Sequence, residues 1–234
     1  MPTNIPMTDQ VVTVCFAPGT DADWFCASEV VNDRLNANGT PARRFHVRQR
    51  RLVGWFTRWF GYFLLDAVRR FGAYTLAAGG RKGRLDLNAT AAHAANEASL
   101  RWRAWNAHIA ATTRPARTWE DFLAQHHTDP QKVSINEARR RFEQQPRVLA
   151  MLAYAGAHAL DPYELAALQS GEATYAGMHW RMALIGDALI TTDGRLLKPA
   201  SPSLADRFRF LNDACAYLRS LRCDARLCSV AIAA

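Results

Sequence analysis

The chain has 234 residues, of which 49% are hydrophobic and 21% charged, and a formal net charge of +8; that composition supports a buried core and excludes a wholly disordered chain. Its longest apolar stretch, Leu52–Leu65, is broken by Gly54, Thr57, Arg58 and Gly61, which falls short of the roughly 20 apolar residues a bilayer span needs. Met1–Gln10 carries Pro2, Pro6 and Asp9 around no apolar centre, so no secretory signal is expected, and an odd count of five cysteines points to reduced thiols in the cytoplasm.

Val11–Phe16 is a short β-branched run and reads as a buried strand. Ala17-Pro18-Gly19-Thr20 forms a turn, after which Asp21 or Asp23 can cap a helix to about Ala37, stopped by Asn38-Gly39. Trp24, Ala27, Val31 and Leu35 fall on one face of it. In Ala42–Gln49, Arg44, His46 and Arg48 alternate with Phe45 and Val47, which suits a half-buried strand and a β-α-β start; a basic helix is the other reading.

Leu52–Ala78 reads as a long helix with Leu52, Phe56, Trp59, Phe63 and Ala67 on one face and Gly79-Gly80 as its end. Arg81-Lys82-Gly83-Arg84 follows as a basic loop, and Asn88 caps a second long helix to about Ala111. Thr118-Trp119-Glu120-Asp121 and Ser134-Ile135-Asn136-Glu137 resemble capping boxes, with His126–Gln131 as a linker between them. Helices at about 135–145, 147–159 and 162–169 are punctuated by Pro146 and Asp161-Pro162.

The period then changes. Trp180–Ile185, Ala188–Thr192 and Arg195–Lys198 are apolar runs separated by Gly186-Asp187 and Asp193-Gly194, the pattern of a three-stranded meander. Ser203 with Asp206 caps a last helix to about Leu221, and Leu227–Ala233 adds an edge strand. The expected fold is α+β and helix-dominated. Residues 1–128 would form a mainly helical part and residues 129–234 a helix–meander–helix part, unless the two make one continuous domain.

Charge is unevenly placed. Residues 1–40 carry a net −4, while residues 41–84 hold eleven basic side chains against Asp66 alone, a net +10. Such a block points to an anionic partner or to a neighbouring acidic surface. Arg43, Arg44, Arg48, Arg50 and Arg51 precede Trp55, Phe56, Trp59 and Phe60, and Arg81, Lys82 and Arg84 close the block. Cations that track phosphates beside aromatics on which bases stack are what single-strand binding requires. The first expectation is therefore a non-enzymatic accessory protein binding nucleic acid through Arg43, Arg44, Arg48, Arg50, Arg51, Trp55, Trp59, Arg81, Lys82 and Arg84. The alternatives are an adaptor or inhibitor docking on an acidic protein, and a nuclease holding Mg²⁺ on Asp21 and Asp23. All three rest on the block's cations meeting on one open face.

Other constellations point elsewhere. Helix capping accounts for Asp21 and Asp23 without a metal. Cys215, Cys223 and Cys228 have no zinc spacing. His126-His127 lies beside Asp129, but adjacent side chains diverge on most backbones. No phosphate loop, dinucleotide fingerprint or hydrolase elbow is present. No metal or cofactor is expected, and contact with a membrane surface is not favoured, because Gly54, Gly61 and Gly72 weaken an amphipathic helix in the block.

Overall fold

The computed structural model describes residues 10–20, 22–48, 63–70, 73–109, 116–155 and 161–232. The architecture is α+β with helices dominant. Two compact units are present: a sheet unit of residues up to His93, Trp180–Lys198 and Phe210 onward, and a helical unit of Ala94–His179 and Pro199–Arg209. Each therefore draws residues from both sides of residue 128.

The sheet unit contains strands β1 (Gln10–Phe16), β2 (Gly39–Pro41), β3 (Phe45–His46), β4 (Leu64–Arg70), β5 (Ala73–Arg81), β6 (Ala188–Ile190), β7 (Leu196–Leu197) and β8 (Arg226–Ile232). They form one mixed sheet in the order β3-β5-β8-β1-β6-β7, with β2 against β8 and β4 against β5. β1 is parallel to β6 and antiparallel to β8. The other edge of β8 is shared, with β2 opposite Val230–Ile232 and β5 opposite Arg226–Cys228. Leu227–Ala233 was expected at an edge, yet β8 sits at the centre. The reason is visible in its burial: Leu227, Cys228, Ser229 and Val230 are all buried in succession, as in a strand covered on both faces.

Helix α1 (Trp24–Leu35) starts where expected. The Asp23 carboxylate accepts the Cys26 N–H at 2.9 Å, and this bond holds its pKa below the usual value. Its stop comes earlier than Asn38-Gly39: Asn36 takes the left-handed conformation and its N–H reaches the Asn32 carbonyl. Ala27 and Val31 pack on Val12, Val14, Cys228 and Val230. Because β1 and β2 are each antiparallel to β8, they are parallel to one another. The β-α-β start is therefore not formed with the strand expected over Ala42–Gln49: its described residues give only β3, which the successive antiparallel pairings with β5 and β8 leave antiparallel to β1, and the strand parallel to β1 is the short β2 across β8.

Two helix-or-strand expectations are overturned. The described part of the helix expected over Leu52–Ala78 is a strand pair, β4 with β5; residues 52–62 lie outside the described residues. Gly79-Gly80 ends no helix. Gly79 lies opposite Cys228, and a Cβ there would sit 2.1 Å from the Leu227 carbonyl oxygen, so the strands approach as only glycine allows. The first run of the expected meander is also helical, because Trp180–Ile185 completes helix α7 (Glu172–Ile185). A six-residue apolar run carries no period that separates strand from buried helix. Gly186 closes the helix at φ +81°, its N–H donating to Met182 O at 2.7 Å. The remaining two runs pair as the β6–β7 hairpin.

Helix α2 (Leu87–Ile109), whose first residues belong to the sheet unit, begins after Asp86, whose carboxylate, rather than Asn88, accepts the Ala89 N–H. Helix α3 (Trp119–Thr128) opens on the Thr118–Asp121 capping box, and α4 (Ile135–Glu143) on Ser134. Helices α5 (Pro146–Ala155) and α6 (Pro162–Gln169) lead to α7, and α8 (Leu204–Ser220) starts at Ser203, whose hydroxyl accepts the Asp206 N–H. The first half of the expected linker at His126–Gln131 is thus the end of α3. Trp119 and Phe122 meet the Phe142 ring edge-on at 5.7 and 6.0 Å, which anchors α3 to α4.

Candidate functional site

Two of the eight described cations in the basic block turn out to be structural, and for the same reason. A helix ends in carbonyls without intrahelical partners and carries a partial negative charge there. Arg44 meets the end of α7: its Nη1 donates to Met182 O at 3.2 Å and its Nη2 to Thr13 Oγ1 at 2.6 Å. Thr13 in turn donates to Leu184 O. Burial lowers the Arg44 pKa to about 10, opposed by nearby Asp187. Lys82 meets the end of α8, where Nζ donates to Arg219 O at 2.9 Å and Leu221 O at 2.5 Å. Burial lowers its pKa as well, while Cys223 and Cys15 act the other way.

Arg43 forms a two-point ion pair with Asp66, at 2.7 and 2.8 Å, on the surface. Arg81 and Arg84 lie over the Phe63 ring, 4.1 and 5.7 Å from its centroid. Arg48 is exposed, and its backbone N–H donates to Arg84 O. The expected common face thus loses Arg43 to a carboxylate and Arg44 to the interior. Arg50, Arg51, Trp55 and Trp59 lie outside the described residues.

Arg48 and Lys82 do come together. They line a cavity of about 380 Å³ within the sheet unit, joined by Arg219 from the last turn of α8. Trp180, Leu184 and Leu218 supply an apolar wall, and Asn88 and Cys223 add polar atoms. No carboxylate is found among the described lining residues. A concave site lined by one sign of charge beside apolar walls focuses the field on an incoming anion. No family model, curated protein or solved structure matches this chain. The site is accordingly read from its own chemistry. Arg219 escaped the sequence reading because it lies well over a hundred residues beyond the block.

The remaining candidates have local roles. Asp23 caps α1, and Asp21 lies outside the described residues. Cys15, Cys215 and Cys228 are buried, with Cys15 and Cys228 pushed up to about 12 by burial. His126 Nδ1 lies 2.8 Å from Val133 O. Among the described residues no three His, Cys, Asp or Glu side chains gather closely enough for a metal.

The helical unit holds a second polar cluster. Tyr175 OH donates to Glu164 Oε1 at 3.0 Å, and His179 Nε2 lies 3.6 Å from the same oxygen, beyond a hydrogen bond but within ion-pair range. Burial alone would raise the Glu164 pKa; His179, Tyr175 and Arg101 outweigh it and hold the carboxyl below its ordinary 4.5. A carboxyl with a depressed folded pKa stabilises the fold fully above its unfolded value and loses that contribution as pH falls. Wild-type stability is therefore expected to drop as acid is added below pH 4.5, more steeply than in Glu164→Gln. That variant should itself cost about 1–2 kcal/mol at neutral pH. Denaturant midpoints measured from pH 6 downward check this; parallel curves for the two proteins would remove Glu164 from the account.

Proposed function

We propose that this protein is a non-enzymatic binder of single-stranded nucleic acid, with Arg48, Lys82 and Arg219 holding phosphate. One observation carries the reading: three cations from three separate chain segments share one cavity in which no described residue answers with a carboxylate. Like charges brought together without compensation cost free energy unless a polyanion supplies it. Arg81 and Arg84, next in the chain to Lys82, extend the positive charge along the Phe63 ring. The apolar wall favours unpaired strands. Bases in a duplex face one another, whereas an unpaired base can leave the stack and pack on Trp180.

The test is the salt dependence of binding to a fluorescent single-stranded oligonucleotide. Each phosphate contact contributes about 0.7 to the slope of log affinity against log salt for single strands. The double variant Arg48→Ala/Arg219→Ala should flatten that slope by roughly 1.4. Both side chains are exposed and neither caps a helix, so the fold should persist. Lys82 is left in place because its ammonium closes α8. Wild-type affinity and slope in the double variant would end the proposal, as would no measurable binding by the wild type.

A further inference from the structure

The cavity's size and charge say more about its ligand than that it is a nucleic acid. We infer that it holds a nucleoside phosphomonoester, a nucleotide whose phosphate is terminal rather than bridging; this rests on the reading just proposed. A volume of about 380 Å³ lies near the lower end of the range for small-molecule pockets. It has room for about one nucleotide and not for a run of them. A strand passing through would present one phosphodiester there, with a single negative charge. A terminal phosphate carries about −1.5 to −2 at neutral pH and three acceptor oxygens.

The donors suit the terminal group. The Lys82 ammonium has three N–H bonds, and two are directed to Arg219 O and Leu221 O. It is thus a fixed charge with one donor remaining. Arg48 and Arg219 each bring a planar fork, the geometry that pairs with two oxygens of one phosphate. Three cations come closer in charge to a monoester than to a diester. Trp180, Leu184 and Leu218 give the base an apolar surface, and the Asn88 amide, which also lines the cavity, can both donate to and accept from a base edge. Cys223 is the exposed cysteine of this lining, which makes its thiol a reporter of occupancy.

The same chemistry has two sources, a free mononucleotide or the phosphorylated end of a strand. Oligonucleotides of one sequence, bearing a 5′-phosphate, a 3′-phosphate or hydroxyls at both ends, would be compared by competition with the labelled strand. Alkylation of Cys223 by iodoacetamide would be followed with and without a nucleoside 5′-monophosphate, with Cys223→Ser as the blank. A preference of about 10-fold for one phosphorylated end, abolished in Arg48→Ala/Arg219→Ala, establishes the site with a strand end as its source. Protection of Cys223 by the mononucleotide, lost in the same double variant, establishes it with the free nucleotide as its source. Salt-dependent strand binding with no end preference and no protection overturns this inference and leaves the general nucleic-acid reading standing. Absence of strand binding and of protection overturns both.

Discussion

Gly79→Ala is expected to destabilise the protein by about 3 kcal/mol, at the upper end of ordinary overpacking. The new methyl group would lie 2.1 Å from Leu227 O and 2.9 Å from the Cys228 Cα, both of them backbone atoms of the central strand. No rotamer change relieves such a contact. Either β5 moves away from β8 and its hydrogen bonds are lost, or the whole sheet shifts. Gly19→Ala is the comparison. Gly19 has φ +84° but nothing within 4 Å of an added Cβ, so only the backbone preference of about 1 kcal/mol is lost. Urea unfolding of the two variants, read at the midpoint, separates the effects. Equal shifts would mean that β5 does not approach β8 as closely as described.

Arg44→Met is expected to cost about 3 kcal/mol, whereas Arg43→Met should leave stability essentially unchanged. The two arginines are neighbours with opposite fates. Arg44 Nη2 and Nη1 satisfy the Thr13 hydroxyl and the Met182 carbonyl, and hydrogen bonds to a charged group contribute about 1.5–3 kcal/mol each. Methionine keeps most of the volume and restores neither bond. Arg43 pairs with Asp66 where water competes for both, and such pairs contribute little. The same unfolding measurement decides it. If Arg44→Met unfolded at the wild-type midpoint, the helix-end role assigned to Arg44 would be wrong, and its charge would return to the set available for binding.

This contrast also shows which parts of the fold were legible. Helix starts were readable because a cap is local chemistry. Asp23, Thr118, Ser134 and Ser203 each sit three residues before the N–H they accept. β1 was readable as a continuous β-branched run. β4 was not, because its apolar residues stand in adjacent pairs, Leu64-Leu65 and Ala67-Val68, without the alternation that marks a strand. The spacing of Leu52, Phe56, Trp59, Phe63 and Ala67 meanwhile imitates a helical face, and no Asn-Gly or Asp-Gly pair stands between the two strands to announce a hairpin.

The amino-acid order alone determined the helix-dominated α+β class, most helix starts and the concentration of positive charge in residues 41–84. Which of those charges remain open to a partner was settled only by tertiary structure. The carbonyls that engage Arg44 and Lys82 belong to helix ends 138 and 139 residues further along the chain, and Arg219 reaches the cavity from the same distant helix. Charge counts are additive along a sequence. Desolvation and hydrogen bonding depend on what folds against each guanidinium or ammonium, and no local pattern records that.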